Sequence, residues 1–390
     1  MSQYKNNQAG FVSLFSVIFF MLLVSVLTVG FLRLMILEQQ QSLDNDLSDS
    51  AKASAQSGIE DGKRAILKYQ SLAAIDPLKA QFNTALNSTA CDSVLGNAAV
   101  TGSLGISSNG NVVGNSQINQ FYTCLNVQLN TPDYLGPSPL PAGSSDFVPL
   151  RPSSGTFDQI KVSWHLLSTA VGEDGDGQPR ALAPGPALMP LNNPLAPPNS
   201  WSQLGYPAYL RVQLYGYPNV GVIDRAGLTQ RSRAVVLVPA AAGPGVVSLG
   251  AADATPGVFD SLKVAPTQIA CNPSFTSYGS YDCTATLSLP AGLPSSGNVY
   301  FLRVTPVYGQ THFRLQMFNS VTGLVVNFNE VQPIIDATGR AADVYRRMQA
   351  RVRVNATGNL PEFVVESADN ICKNEEVSSD PLFYKANVCL

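Results

Sequence analysis

FVSLFSVIFFMLLVSVLTVGFL, residues Phe11 to Leu32, sets how the rest of the chain must be arranged. These 22 residues carry no charge. A helix of that length is roughly 33 Å long, enough for the hydrocarbon core of a bilayer. The leader before it, MSQYKNNQAG, has only Lys5 and the terminal amine as cations. Glu38, Asp44, Asp46 and Asp49 follow the apolar run, and Arg33 stands at its end, placed to snorkel to the interface. This asymmetry keeps the leader in the cytoplasm and sends the bulk of the chain across. A cleaved secretory signal does not fit. Its apolar core of about 7–15 residues should be followed closely by a small-x-small site. Here EQQQ follows, and the Ala-x-Ala triplets begin only at Ala51 and Ala53.

Helical periodicity continues past the apolar run. Leu43, Leu47, Ala51, Ala55, Gly58, Gly62 and Ala65 form one face, and Glu60 and Arg64 stand in i,i+4 register. Proline is absent until Pro77. The pattern predicts one helix from Phe11 to Tyr69, about 90 Å long. Its second half presents small residues that let another element approach closely.

Composition narrows the function. Net charge is −3 and charged residues make up 13% of the chain. Such a chain has no electrostatic footprint for a nucleic-acid partner. Two histidines, His165 and His312, leave little for metal sites or histidine-based catalysis, and both sit in strand-like contexts as structural residues. The six cysteines form three sequential couples: Cys91 with Cys124, Cys271 with Cys283, and Cys372 with Cys389. Beside an export segment these read as disulfides, with neighbour pairing the first choice among the possible connectivities.

The head is rich in strand patterns. Asp76-Pro77 starts a short helix from Pro77 to Leu86, and residues 87–119 read as loop. Strands are predicted at 121–129, 158–167, 208–215, 231–238, 283–289, 299–304, 312–318, 324–328 and 331–335, with Pro333 placing the last at a sheet edge. Cys271 and Cys283 would staple an edge. In 343–354, Tyr345, Arg347, Gln349, Arg351 and Arg353 share one face, which reads as a solvated sheet surface. Residues 171–207 hold eight prolines and read as a long ordered loop. The acidic start of that loop, Glu173, Asp174 and Asp176, is a weak Ca²⁺ candidate that lacks the carboxylate closing an EF-hand, and a solvated turn is preferred. Residues 239–256 are small and flexible and offer the best boundary within the head. Phosphate-binding glycine loops and Gly-x-Ser-x-Gly are absent, and neither a cofactor nor an enzymatic activity is expected.

A short polar leader ending in Gly10, then Phe11, then an apolar helix running into an amphipathic half resembles the type IV prepilin and pseudopilin family. The resemblance covers about 60 residues and implies the following. A prepilin peptidase cuts between Gly10 and Phe11, and the new amine of Phe11 is methylated. The apolar half-helix packs with other pilin-like subunits, and the head lies outside the cytoplasmic membrane in the bacterial cell envelope. The family usually has a glutamate where this chain has Phe15. That departure, with a large head, favours a minor or tip subunit with an adhesive or assembly-initiating head over a shaft subunit. A terminal Cys372–Cys389 loop is loosely similar to that of many pilin heads.

The expectation is therefore an α+β chain: leader 1–10, transmembrane helix 11–32, amphipathic continuation 33–70, and a mainly antiparallel β head in two parts, 71–240 and 257–390. Two alternatives from other classes stand beside it: a signal-anchored, non-polymerising binding protein, and an extracytoplasmic hydrolase with dispersed carboxylates.

Overall fold

The computed structural model describes residues 9–91, 93–107, 119–136, 139–166, 207–220, 231–240, 243–251, 266–271, 281–292, 294 and 297–353. The first eight leader residues, the proline-rich segment with Glu173, Asp174 and Asp176, and the Cys372–Cys389 loop lie outside the described residues.

Helix α1 runs without interruption from Ala9 to Ser71, 63 residues. It is followed by α2 (Pro77–Leu86) and α3 (Ala98–Leu104). Asp76 caps α2 as expected, its carboxylate accepting from the Leu78 amide at 2.9 Å. Helix α3 lies in a stretch whose composition reads as loop, because Val, Thr, Gly and Ser are weak helix formers. It is held by its ends: Asn97 accepts from the Ala99 and Val100 amides, and Gly105 closes it at φ 66°.

Fifteen strands follow among the described residues: β1 (Phe121–Thr131), β2 (Tyr134–Leu135), β3 (Asp146–Pro149), β4 (Gln159–Leu166), β5 (Tyr209–Pro218), β6 (Arg233–Ala240), β7 (Val246–Ser248), β8 (Gly250–Ala251), β9 (Thr267–Ala270), β10 (Tyr281–Ser288), β11 (Asn298–Val307), β12 (Phe313–Asn319), β13 (Leu324–Val326), β14 (Phe328–Ala341) and β15 (Val344–Arg351). The fold is α+β, as expected. A three-stranded antiparallel sheet, β1-β14-β15, forms a platform under the second half of α1. Two six-stranded sheets make a sandwich. One has the order β13-β12-β4-β10-β7 with β2 beside β12; the other has β3-β11-β5-β6-β8 with β9 beside β6. Strands from both sides of the 240–257 stretch are found in each sandwich sheet, and that stretch itself contributes β7 and β8.

Two large apolar cores result among the described residues, beside a small cluster at Tyr209 and Val238. The platform core joins Ile59, Ile66 and Tyr69 of α1 to Phe82 and Leu86 of α2, and to Tyr122, Leu125, Ile335 and Ala337 of the sheet. The sandwich core gathers inward residues of both sheets around Trp164, Val212, Leu302 and Phe313. Cys91–Cys124 ties the segment between α2 and α3 to β1. Cys271–Cys283 does tie down an edge strand, since β9 pairs only with β6 among the described strands, and it does more than that. It links the end of β9, in one sandwich sheet, to β10 in the other, and both cysteines are buried in the shared core.

Pro333 departs from expectation. It lies inside β14, the central strand of the platform, not in a short edge strand. The ladder accommodates it with an irregularity: as β1 advances from Gln128 to Asn130, its partner moves from Ile334 to Asn329. A residue without an amide hydrogen fits where pairing is interrupted.

Candidate functional site

The side chains of α1 described from Phe15 onward are exposed throughout its apolar half. Phe15 is 70% exposed, and Phe19, Phe20, Leu22, Val26 and Phe31 are likewise open. The run is long and apolar enough to cross a membrane, and none of its most apolar window is buried. Hydroxyls within it are satisfied locally: Ser25 donates to the Met21 carbonyl at 2.7 Å and Thr28 to the Val24 carbonyl at 2.8 Å. Gly10 and Phe11 lie within the first turns of α1, so the backbone around the expected cleavage point is helical.

The helix changes role near Ala51. Leu43, expected on the packed face, is 61% exposed, whereas Ala51, Ser54, Ala55, Ile59, Ala65 and Ile66 are buried. Small residues set the distance to the sheet. A side chain on Gly58 would press on the Ala337 Cβ at 2.8 Å, and one on Gly62 on the Ile335 Cγ2 at 2.6 Å. Across the contact, Gly339 of β14 rests on the main chain of Ala51 and Ala55. Ser54 donates to the Ser50 carbonyl at 2.9 Å, and Gln120 reaches the same carbonyl at 3.1 Å.

Sequence patterning does not single out one acidic residue on this face. Asp61 is buried and accepts from the Tyr122 hydroxyl at 2.6 Å. Arg64 pairs with Asp61 one turn back, not with Glu60 as expected, and Glu60 pairs with Lys63 at 2.7 Å. A lone Asp inside a small-residue stripe is the only local sign that a polar partner waits on the sheet.

The face of β15 that carries the arginines is exposed at Tyr345, Arg347 and Gln349, as expected, and its arginines are also paired. Arg347 makes two hydrogen bonds from Nε to the Asp336 carboxylate at 2.8 and 2.9 Å. Arg351 pairs with Asp133 at 2.8 Å. Arg353, just beyond β15, grips Asp146 through both terminal nitrogens at 2.9 and 3.1 Å. The acidic partners of this row are the chain's own. Each buried carboxylate among the described residues is thus tied to a neighbour: Asp61, Asp146 and Asp336 as above, and Asp282 to His165 electrostatically.

His165 and His312 come together in the sandwich. The His165 amide donates to the His312 carbonyl at 3.2 Å and to the Thr311 hydroxyl at 3.1 Å, and His165 holds φ at +63°. Asp282 lies alongside, between the cross-strand pairs Tyr281↔Leu166 and Cys283↔Trp164. Burial pushes the Asp282 carboxyl up to about 6, and His165 partly offsets that rise. Its unfolded value is lower, 3.8. The proton on folded Asp282 therefore favours folding fully below pH ~4, and the benefit is lost as pH rises through about 6. Asp282→Asn is expected to be more stable than wild type by about 1–2 kcal/mol at pH 8, with no gain at pH 4. Urea unfolding at the two pH values measures this, and equal effects at both would contradict it.

No family model, curated protein or solved structure matches this chain. The apolar helix suggests membrane anchoring, and the two disulfides suggest an oxidising, extracytoplasmic setting for the head. A long amino-terminal apolar helix carrying a β-rich head is consistent with a pilin-like layout.

Proposed function

We propose that this protein is a non-enzymatic subunit of a type IV pilus-like filament, in a minor or tip position, with a head that adheres to a surface or initiates assembly. The observation that carries the reading is α1 itself: one unbroken 63-residue helix, bare and apolar at first, then packed on a sheet through small residues. A helix built only to anchor has no need to continue rigidly into the head. In this reading a prepilin peptidase removes residues 1–10, and the amine of Phe11 is methylated. The apolar half then leaves lipid for the equivalent helices of neighbouring subunits. Both surroundings are apolar, so packing decides the exchange.

Phe15 supports the minor or tip position. An exposed aromatic ring there has no charge with which to draw in the amine of a neighbouring subunit. The same observation also favours a second reading, an anchored binding protein that never polymerises. Intact-mass analysis of the protein from native membranes separates the two. A chain beginning at Phe11 with one added methyl group is the expected result, and a chain retaining residues 1–10 would favour the anchored protein.

A further inference from the structure

We propose that the β-sandwich is a separately hinged body, latched onto the helix platform by the Arg353–Asp146 ion pair. Among the described residues the chain passes between the two cores twice. The first passage lies between Leu129, in the platform core, and Tyr134, in the sandwich core. The second is within β14, where Phe328 and Val331 belong to the sandwich core and Ile335 and Ala337 to the platform core. Both passages have irregular backbone. Pro132 sits in the first, between β1 and β2. In the second, Glu330 adopts φ +55° beside the slipped ladder around Pro333. Hinges are short segments of this kind, able to absorb dihedral change between bodies that stay packed.

What spans the joint is polar. Gln332 accepts from the Leu135 amide at 2.9 Å and donates to the Leu135 carbonyl at 2.7 Å. Arg351 holds Asp133 and touches the Gln332 side-chain oxygen at 3.3 Å. Arg353, just past the end of β15, reaches Asp146 on β3, in the sandwich sheet that does not contain β2. Asp146 also accepts from the buried Tyr134 hydroxyl of β2 at 2.8 Å, so one carboxylate ties both sandwich sheets to the segment just after β15. The Arg353 guanidinium stacks over the Tyr134 ring, 5.2 Å from its centroid. A paired charge between two separate apolar cores gives directional holding that reverses when the pair parts, unlike an apolar interface, which must be rewetted. Opening the latch frees the sandwich to tilt about the two passages with both cores intact. This inference does not depend on whether the protein polymerises.

The test is hydrogen exchange on the full chain in detergent micelles, comparing wild type with Arg353→Gln and Asp146→Asn. The latch predicts about tenfold faster exchange at residues 131–135 and 327–333, with α1 beyond Ala51 and strands β4, β5 and β11 unchanged. Arg353→Gln leaves the buried Asp146–Tyr134 pair in place, so it reports on the latch even if Asp146→Asn fails to fold. Unchanged exchange at the two passages in Arg353→Gln would overturn the proposal. So would acceleration spread through β4, β5 and β11, which would make Arg353 part of the fold of the sandwich instead of its latch.

Discussion

Replacing Gly339 with alanine is expected to part α1 from the platform sheet. The added Cβ would fall on the carbonyl oxygen of Ala51 and the amide nitrogen of Ala55, which are main-chain atoms. A flexible side chain could swing aside, but a helix backbone cannot without breaking its own hydrogen bonds. The sheet must instead withdraw, and Ile335 and Ala337 of the same strand withdraw with it from the core they share with Ile59 and Ile66. The expected loss is about 3 kcal/mol or more, at the upper end for overpacking. Gly62→Ala should cost less, about 1–2 kcal/mol, because its new methyl group meets the Ile335 side chain, which can re-pack. Chemical denaturation of the detergent-solubilised protein ranks the two. Equal losses would mean that the helix and sheet are less closely apposed than the structure shows.

Trp164→Ala is expected to damage the sandwich more than any other single truncation. Trp164 is fully buried at the centre of that core, and its indole nitrogen donates to the Ala208 carbonyl at 2.9 Å. Truncation opens a large cavity and strands the carbonyl, for an expected cost of about 4–5 kcal/mol. Whole domains are typically stable by only about 5–15 kcal/mol, so this change brings the sandwich close to unfolding. Trp164 is not a member of the platform core. Exchange protection should therefore fall across β4, β10 and β12 while α1 from Ala51 to Tyr69 keeps its own. Simultaneous loss in both regions would mean that the two cores unfold as one.

Much of this architecture is legible because periodicity is a local signal. The unbroken helix, the small residues at Ala51, Ala55, Gly58 and Gly62, and the start of α2 at Pro77 follow from spacing and propensity along one stretch of chain. The strands that carry His165, Val212 and Leu302 are visible as alternation for the same reason. Pro333 misleads because local rules place proline at an edge. Only the slipped pairing with β1 shows how a central strand admits it. Cys271–Cys283 is visible as a couple at an edge, but that it also joins two sheets depends on where β9 and β10 are carried. The arginine face reads as solvated, and Tyr345, Arg347 and Gln349 are exposed, but its ion pairs cannot be seen along one strand. Asp133 and Asp146 are distant in sequence, and Asp336 stands on the neighbouring strand.

That an apolar helix comes first, that it continues rigidly beyond a bilayer's thickness, and that a strand-rich, cysteine-bearing head follows are all written in the order of residues. Those properties depend on hydrophobic content and period over a few turns, which no distant residue can supply or remove. That the head has two main cores, that β14 threads both, and that Asp146 ties both sandwich sheets to the end of the platform emerge only when the chain is folded. Such features arise from pairing between strands far apart in the chain. Their energies depend on which surfaces are buried together, and one strand's pattern is compatible with many partners.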